Sequence, residues 1–278
     1  MKLFRHGAPG RERPGVLDGQ GAYRDLSDIV DDIHGALLTG DALRRLRDLD
    51  PSTLPALDPG VRIGPCVGGV GHFIGIGLNF ADHAAEAGMP LPEYPLAFSK
   101  APSCISGPCD ALSLAPGSRE VDYEVELAVV LCRDAWRVEA DRALDHVGGY
   151  CLSNDFTDRY WQSHYAGQWV LAKSAPGFGP LGPWLVTPDE IPELGDIPLE
   201  LHVNGRVRQR ARVSGMVFKV PELIAYLSSF FHLRAGDVIT TGTPAGVGLA
   251  TGEYLKPGDR VVASAGVLGV QRIDVVAA

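Results

Sequence analysis

The chain has no surplus of positive charge: 25 Lys and Arg stand against 34 Asp and Glu among 278 residues, a net charge of −9. Phosphate backbones and anionic lipid surfaces attract basic faces, so neither nucleic acid nor membrane is an expected partner. Long apolar runs are also missing; none approaches the roughly 20 residues of a membrane span. Cysteine is scarce, with Cys66, Cys104, Cys109, Cys132 and Cys151 scattered, odd in number and never in a Cys-x-x-Cys pair. That excludes a disulfide framework and the commoner zinc and redox motifs. The opening Met1-Lys2-Leu3-Phe4-Arg5-His6-Gly7 is charged and has no apolar core of the secretory kind. The expectation is a soluble, reduced, cytoplasmic protein. Disorder is excluded too, since 45% of residues are hydrophobic and 21% are charged, an ordinary globular balance.

What is abundant is glycine (34) and proline (21), which cut the chain into short segments and favour strands and turns. Asp18-Gly19-Gln20-Gly21 reads as the turn of a hairpin between residues 15–17 and 22–24. Residues 41–49 space Leu43, Leu46 and Leu49 at helical intervals behind Asp41. Pro51, Pro55 and Pro59 then break regular structure, which places a boundary near residue 68 between a small leading module (1–68) and one large domain (69–278). Strands are expected over 123–130, 199–203, 238–241 and 260–265. Short helices are expected over 80–88, 140–147 and 220–231. No solenoid repeat and no regular βαβ winding is visible, so the class is β or α+β.

Five segments carry possible chemistry. In Val121–Val130 a strand would put Asp122, Glu124 and Glu126 on one face. This is either a solvated acidic face or, with a further oxygen ligand, a site for a hard cation such as Mg²⁺, Mn²⁺ or Ca²⁺. Asp155, at the end of the apolar segment 149–152, is the candidate third ligand, although Asn154-Asp155 also suits a turn or helix cap. A helix beginning at Asp155 would align it with Arg159 and Gln162; Arg159 otherwise reads as an ion-pair partner. Gly75-Ile76-Gly77 lacks the final glycine of a dinucleotide loop, because Phe80 stands there. The same stretch sets His83 three residues before Glu86, either a surface pair or a base with its orienting carboxylate. Gly242–Gly248 follows a strand without the Gly-Lys-Ser/Thr of a phosphate loop. Its backbone N–H groups and the Thr243 hydroxyl could instead contact a carboxylate or oxyanion. Lys173 ends an apolar run and, if buried, needs partners.

The order of the motifs says more than any one of them. Gly77-Leu78-Asn79 with His83-x-x-Glu86, Phe98-x-Lys100, Asp122-x-Glu124-x-Glu126, Asn154-Asp155 with Arg159-x-x-Gln162, Gln168-Trp169 with Lys173, Gly182-Pro183-Trp184, Val203-Asn204-Gly205 and Thr241-Gly242-Thr243-Pro244-x-Gly246 follow one another over about residues 70–270. This succession closely resembles the fumarylacetoacetate hydrolase family, in its bacterial two-module form. The resemblance implies an α+β, mostly β fold with a mixed β-roll or sandwich catalytic domain, a homodimer, and a divalent metal, commonly Mg²⁺ or Mn²⁺. By position, Glu124, Glu126 and Asp155 match the family's metal ligands, and His83 with Glu86 matches its water-activating dyad, on a segment that orders over substrate. Lys173, Arg159, Gln162 and Thr243 match its oxyanion and substrate contacts.

The implied activity is hydrolysis of a carbon–carbon bond in a 1,3-diketone or acylpyruvate-type (2,4-diketo) acid through a metal-stabilised enolate. Alternatives on the same site are decarboxylation of a β-keto acid, hydration or isomerisation of a dienol acid, and a non-catalytic acid-binding homologue. Two departures from the family pattern bear on that choice: Asp158 before the arginine, where a small residue is usual, and Ser174-Ala175-Pro176-Gly177-Phe178 in place of an Asp-Thr-Phe run.

Overall fold

Val125–Leu131 and Val147–Asn154 are largely apolar runs in which every residue is buried, and they pair antiparallel at the centre of the molecule. Continuous burial on both faces is what such strands require. A computed structural model describes residues 1–278, the side chains at 36 and 40 left aside. Around the central pair runs a nine-stranded sheet in the order Tyr23–Asp25, Arg13–Leu17, Lys2–His6, Leu185–Val186, Val147–Asn154, Val125–Leu131, Val238–Thr240, Phe73–Gly77 and Leu96–Lys100. A five-stranded sheet, Arg206–Arg212, Pro198–Val203, Arg260–Ser264, Val270–Ala277 and Leu112–Leu114, supplies the second layer, and neither sheet closes on itself. Their buried side chains merge into one hydrophobic cluster that includes Leu3, Leu127, Val129, Leu201 and Val261. The fold is thus mixed and mostly β, as the resemblance implies.

Strand direction brings the functional segments together. Phe73–Gly77 and Val238–Thr240 pair parallel, and Val238–Thr240 and Val147–Asn154 both run antiparallel to Val125–Leu131. Three strands therefore deliver their carboxyl ends, and Val125–Leu131 its amino end, to the same edge of the sheet. The segments leaving there are those containing His83, Asp155 and Gly242.

The leading residues form the expected hairpin, with Leu17 opposite Tyr23, and the expected helix, Gly40–Arg47. Strand Lys2–His6 pairs with Leu185–Val186, so the leading segment extends the central sheet. Some expected elements differ. The strand over 123–130 is interrupted: Val121–Asp122 pairs with Thr157–Asp158, and ladder pairing with Val147–Asn154 starts at Val125. Residues Ala140–His146 wind as a 3₁₀ helix. The later helix is Val220–Ser228, shorter than expected because the chain turns away after Ser229. No helix of the described residues is long and apolar enough to cross a membrane.

Candidate active site

The break at Tyr123-Glu124 folds the acidic segment inward. Asp122, Glu124 and Glu126 are respectively 0%, 5% and 1% exposed, which overturns the reading of a solvated acidic face. The central ladder sets Glu126 opposite Ser153 and Val125 opposite Asn154, and the Asp155 N–H donates to the Glu124 carbonyl at 2.9 Å. Asn154 holds the kink by accepting from the Glu124 N–H at 2.9 Å. The outcome is a buried triad: Glu124, Glu126 and Asp155 offer carboxylate oxygens that all lie within 4.8 Å of one another.

Asp155 reaches this position without a helix beginning there. The helix is Arg159–His164, and Asp158 caps it by accepting from the Trp161 N–H at 3.1 Å while also accepting from the Arg119 N–H at 3.0 Å. Asp158, fully buried in that role, is absent from the cavity lining. Pro176-Gly177 likewise forms a turn closed by the Phe178 N–H on the Ala175 carbonyl at 3.0 Å, with Gly177 at φ 85°. Pro at the second position and a positive φ at the third are what a type II turn needs. Both departures from the family pattern are accounted for by local backbone structure.

Three cations surround the carboxylates. Lys173 Nζ donates to Glu124 at 3.0 Å, to Asp155 at 2.7 Å and to the Thr157 hydroxyl at 2.7 Å. Lys100 Nζ donates to the other Asp155 oxygen and to the carbonyls of Lys173 (2.6 Å) and Phe178 (3.1 Å). Arg159 spans Asp122 (2.8 Å) and Glu124 (2.5 Å) and donates to the Gln162 side-chain Oε1 at 3.1 Å. Its fork is thereby engaged by the protein's own carboxylates. Although burial strips Glu124 of water, Lys173 and Arg159 hold its carboxyl far below the ordinary range. The reverse holds for Glu126: burial, then the charges of Asp155 and Glu124, push it well above that range, against one donor, the Gly242 N–H at 2.9 Å.

Counting Asp122 with the triad, four buried carboxylates face three cations, and Glu126 has no cationic partner of its own. An all-oxygen, carboxylate-rich donor set with a negative surplus suits a hard divalent cation. The residues present therefore fit such an ion.

The loop after Val238–Thr240 does make the carboxylate contacts its glycines allow, but to the protein itself. The Gly242 N–H holds Glu126, the Gly246 N–H holds both oxygens of Glu86 at 2.9 and 3.1 Å, and the Gly248 N–H holds Asp122 at 2.6 Å. Thr243 gives its hydroxyl hydrogen to the Val125 carbonyl at 2.9 Å and accepts from Gln209 at 2.8 Å, while still lining the cavity. Helix Ala81–Glu86 brings His83 Nδ1 to 2.9 Å from Glu86 Oε1. His83 is 7% exposed, so the surface-pair reading does not hold.

A cavity of about 360 Å³ joins these parts, lined among others by His83, Glu124, Glu126, Arg159, Gln162, Lys173 and Thr243 with an apolar wall from Phe98 and Trp169. Of the residues singled out in the sequence, Glu86 and Asp155 stand behind this lining, each bonded to a residue that forms it. Sequence reasoning gave no role to Lys100, Asn79 or Gln209. Asn79 locks the His83 segment to the Gly242 loop by donating to the carbonyls of Thr241 (2.7 Å) and Phe218 (3.0 Å). The available signals were a lysine in the strand-like stretch 96–100 and an asparagine directly after Gly77-Leu78.

The family description for the fumarylacetoacetate (FAA) hydrolase C-terminal domain matches residues 72–276. A protein of Burkholderia multivorans, named provisionally as a hydrolase, is 52% identical over 264 residues, 94% of each chain. Among solved structures, fumarylacetoacetate hydrolase from the psychrophile Exiguobacterium antarcticum is 33% identical with a TM-score of 0.88 over all of both chains. The 5-carboxymethyl-2-hydroxymuconate delta-isomerase of Mycobacterium smegmatis is 30% identical with a TM-score of 0.80, again over all of both chains. With the family description spanning residues 72–276 and a relative 52% identical over 94% of each chain, the chain belongs to the fumarylacetoacetate hydrolase family.

Proposed function

We propose that the chain is a divalent-metal-dependent hydrolase that cleaves a carbon–carbon bond in a 1,3-diketone or acylpyruvate-type acid. The observation that carries this reading is the buried triad of Glu124, Glu126 and Asp155 beside a His83–Glu86 pair on one cavity. Mg²⁺ or Mn²⁺ held by those three carboxylates would supply the positive charge that a diketone's oxygens and the electrons released on bond cleavage require.

His83 has Nδ1 committed to Glu86, which leaves Nε2 as the nitrogen that takes a proton from water. Glu86, fixed by the Gly246 N–H, keeps the imidazole in that tautomer and stabilises the imidazolium. Water adds to the carbonyl distal to the acid group, and Gln162 donates to the developing oxyanion together with Lys173, which would release the Thr157 hydroxyl to do so. Aligned donors of this kind are each worth about 3 kcal/mol. The carbon–carbon bond then breaks, and His83 returns its proton to the departing carbon. Phe98 and Trp169 exclude water from the acyl side. Arg159 would bind a substrate carboxylate by releasing Glu124 or through its remaining hydrogens.

The isomerase relative supports a second reading, proton transfer on a dienol acid by the same His83 without water addition. A screen of acylpyruvates, 2,4-diketo acids, dienol acids and oxaloacetate with Mg²⁺ or Mn²⁺, products identified, separates the two. Hydrolysis is expected, with turnover reduced at least about 100-fold in Glu126→Gln together with weakened metal affinity, and roughly 10²–10⁴-fold in His83→Ala with metal retained. Normal hydrolysis by His83→Ala rejects the assignment of the base. Isomerised product without cleavage favours the second reading.

A further inference from the structure

On the reverse side of the Asp122–Glu124 segment lies a second cleft, of about 420 Å³, lined by Arg119, Tyr123, Asn204, Arg208, Glu253 and Lys256 among others. We infer that it is a binding site for a small oxyanion, a carboxylate or a phosphate, separate from the acidic cavity.

Tyr123 carries the inference. Its side chain is 1% exposed and lines the cleft, yet its hydroxyl has no hydrogen-bond partner among the described residues. Arg208 Nε is likewise buried and unpartnered on the same cleft. Buried polar atoms are nearly always bonded, so two unbonded ones on residues that line one cleft call for an acceptor there. Arg208 Nε can only donate and the phenol can donate as well, so the missing partner accepts hydrogen bonds and, next to a guanidinium, is negatively charged.

The charges agree. Arg119, Arg208 and Lys256 line the cleft against Glu253 and Asp259, a surplus of one positive charge, and both acids already have partners. Glu253 is paired with an Arg208 terminal nitrogen, and Asp259 accepts from the Lys256 N–H and from the Asn204 amide, each at 2.8 Å. Exposed Arg119, whose guanidinium lies 4.4 Å from the centre of the Tyr160 ring, and Lys256 add positive charge from the surface. The alternation of the chain separates this cleft from the triad: Glu124 lines the first cavity and Tyr123 the second.

The test is calorimetric titration of the full chain with inorganic phosphate and, separately, with succinate, at constant ionic strength. The proteins compared are the native chain, Tyr123→Phe, Arg208→Gln and, as a control, Arg44→Gln, whose side chain is 73% exposed. Saturable binding of at least one anion is expected, weakened about ten-fold or more in both cleft variants and unchanged in the control; which anion binds identifies the head group. Phenylalanine keeps the ring, so Tyr123→Phe preserves packing. If Arg208→Gln does not fold, the exposed Arg119→Gln takes its place. No saturable binding of either anion, or affinity unaltered by Tyr123→Phe or by the arginine variant, overturns the inference. Because the readout is binding, the result does not depend on whether the acidic cavity proves to be a hydrolase site.

Discussion

Lys100 has no exposed surface, and its ammonium meets three protein oxygens: one of Asp155 and the carbonyls of Lys173 and Phe178. Removing one member of a buried ion pair costs roughly 3–5 kcal/mol, because its partner stays behind without solvent. Asp155 keeps Lys173, so Lys100→Met is expected near the lower figure, about 3 kcal/mol, read from the urea midpoint. Tyr150 makes a pH prediction. Burial alone pushes its phenol to about 12 in the folded chain, against about 10 when unfolded. The folded value is the higher one, so this contribution is intact below pH about 10 and is lost as pH rises toward about 12. Denaturant titrations across that range should show a steeper alkaline loss in the native protein than in Tyr150→Phe. Glu124, Glu126, His83 and Glu86 were candidates from chemistry and spacing, but spacing alone suited an exposed acidic face and a surface pair equally, and only the order of the motifs singled them out. Lys100 was not a candidate, since a lysine in a strand normally reads as solvent-facing.

The elements around the site are tied together by close backbone approaches. Gly246 sits at φ 106°, and a Cβ built there would lie 1.9 Å from the Arg208 carbonyl oxygen. Gly246→Ala must therefore displace the loop and withdraw the N–H that holds Glu86. Stability is expected to fall by about 2 kcal/mol or more in chemical denaturation, and turnover by roughly ten-fold or more as the dyad loses its anchor. Element positions were readable from proline, glycine and periodicity, and the hairpin, helix Ala81–Glu86 and most strands fall where these signals put them. Two were misplaced for physical reasons. Asp158 begins the Arg159–His164 helix in place of Asp155, because it reaches the Trp161 N–H while Asp155 is held by two lysines. At the strand break, Asn154 holds the Glu124 N–H and Arg159 pairs with Asp122 and Glu124, long-range contacts invisible to local pattern.

At the level of the whole molecule, the leading strand and the central strands share one sheet and one apolar cluster. Leu3 is fully buried, as is Leu127. Replacing either by alanine is expected to cost 2–5 kcal/mol, measured from urea midpoints. Far-ultraviolet circular dichroism and tryptophan fluorescence should give coincident transitions for both variants; separate transitions would mean that the leading segment unfolds on its own. The strand order that joins residues 1–6 to residues 185–186 could not be read from periodicity, which reports faces and not neighbours. The convergence of three strand ends on one edge likewise emerges only from the topology. The loop that crosses this edge grips Glu126, Glu86 and Asp122 through peptide nitrogens. Such donors neither ionise nor vanish when a side chain is exchanged. Laboratory evolution toward a new substrate would therefore inherit this grip unchanged, and would have to explore Lys173, Arg159 and the aromatic wall.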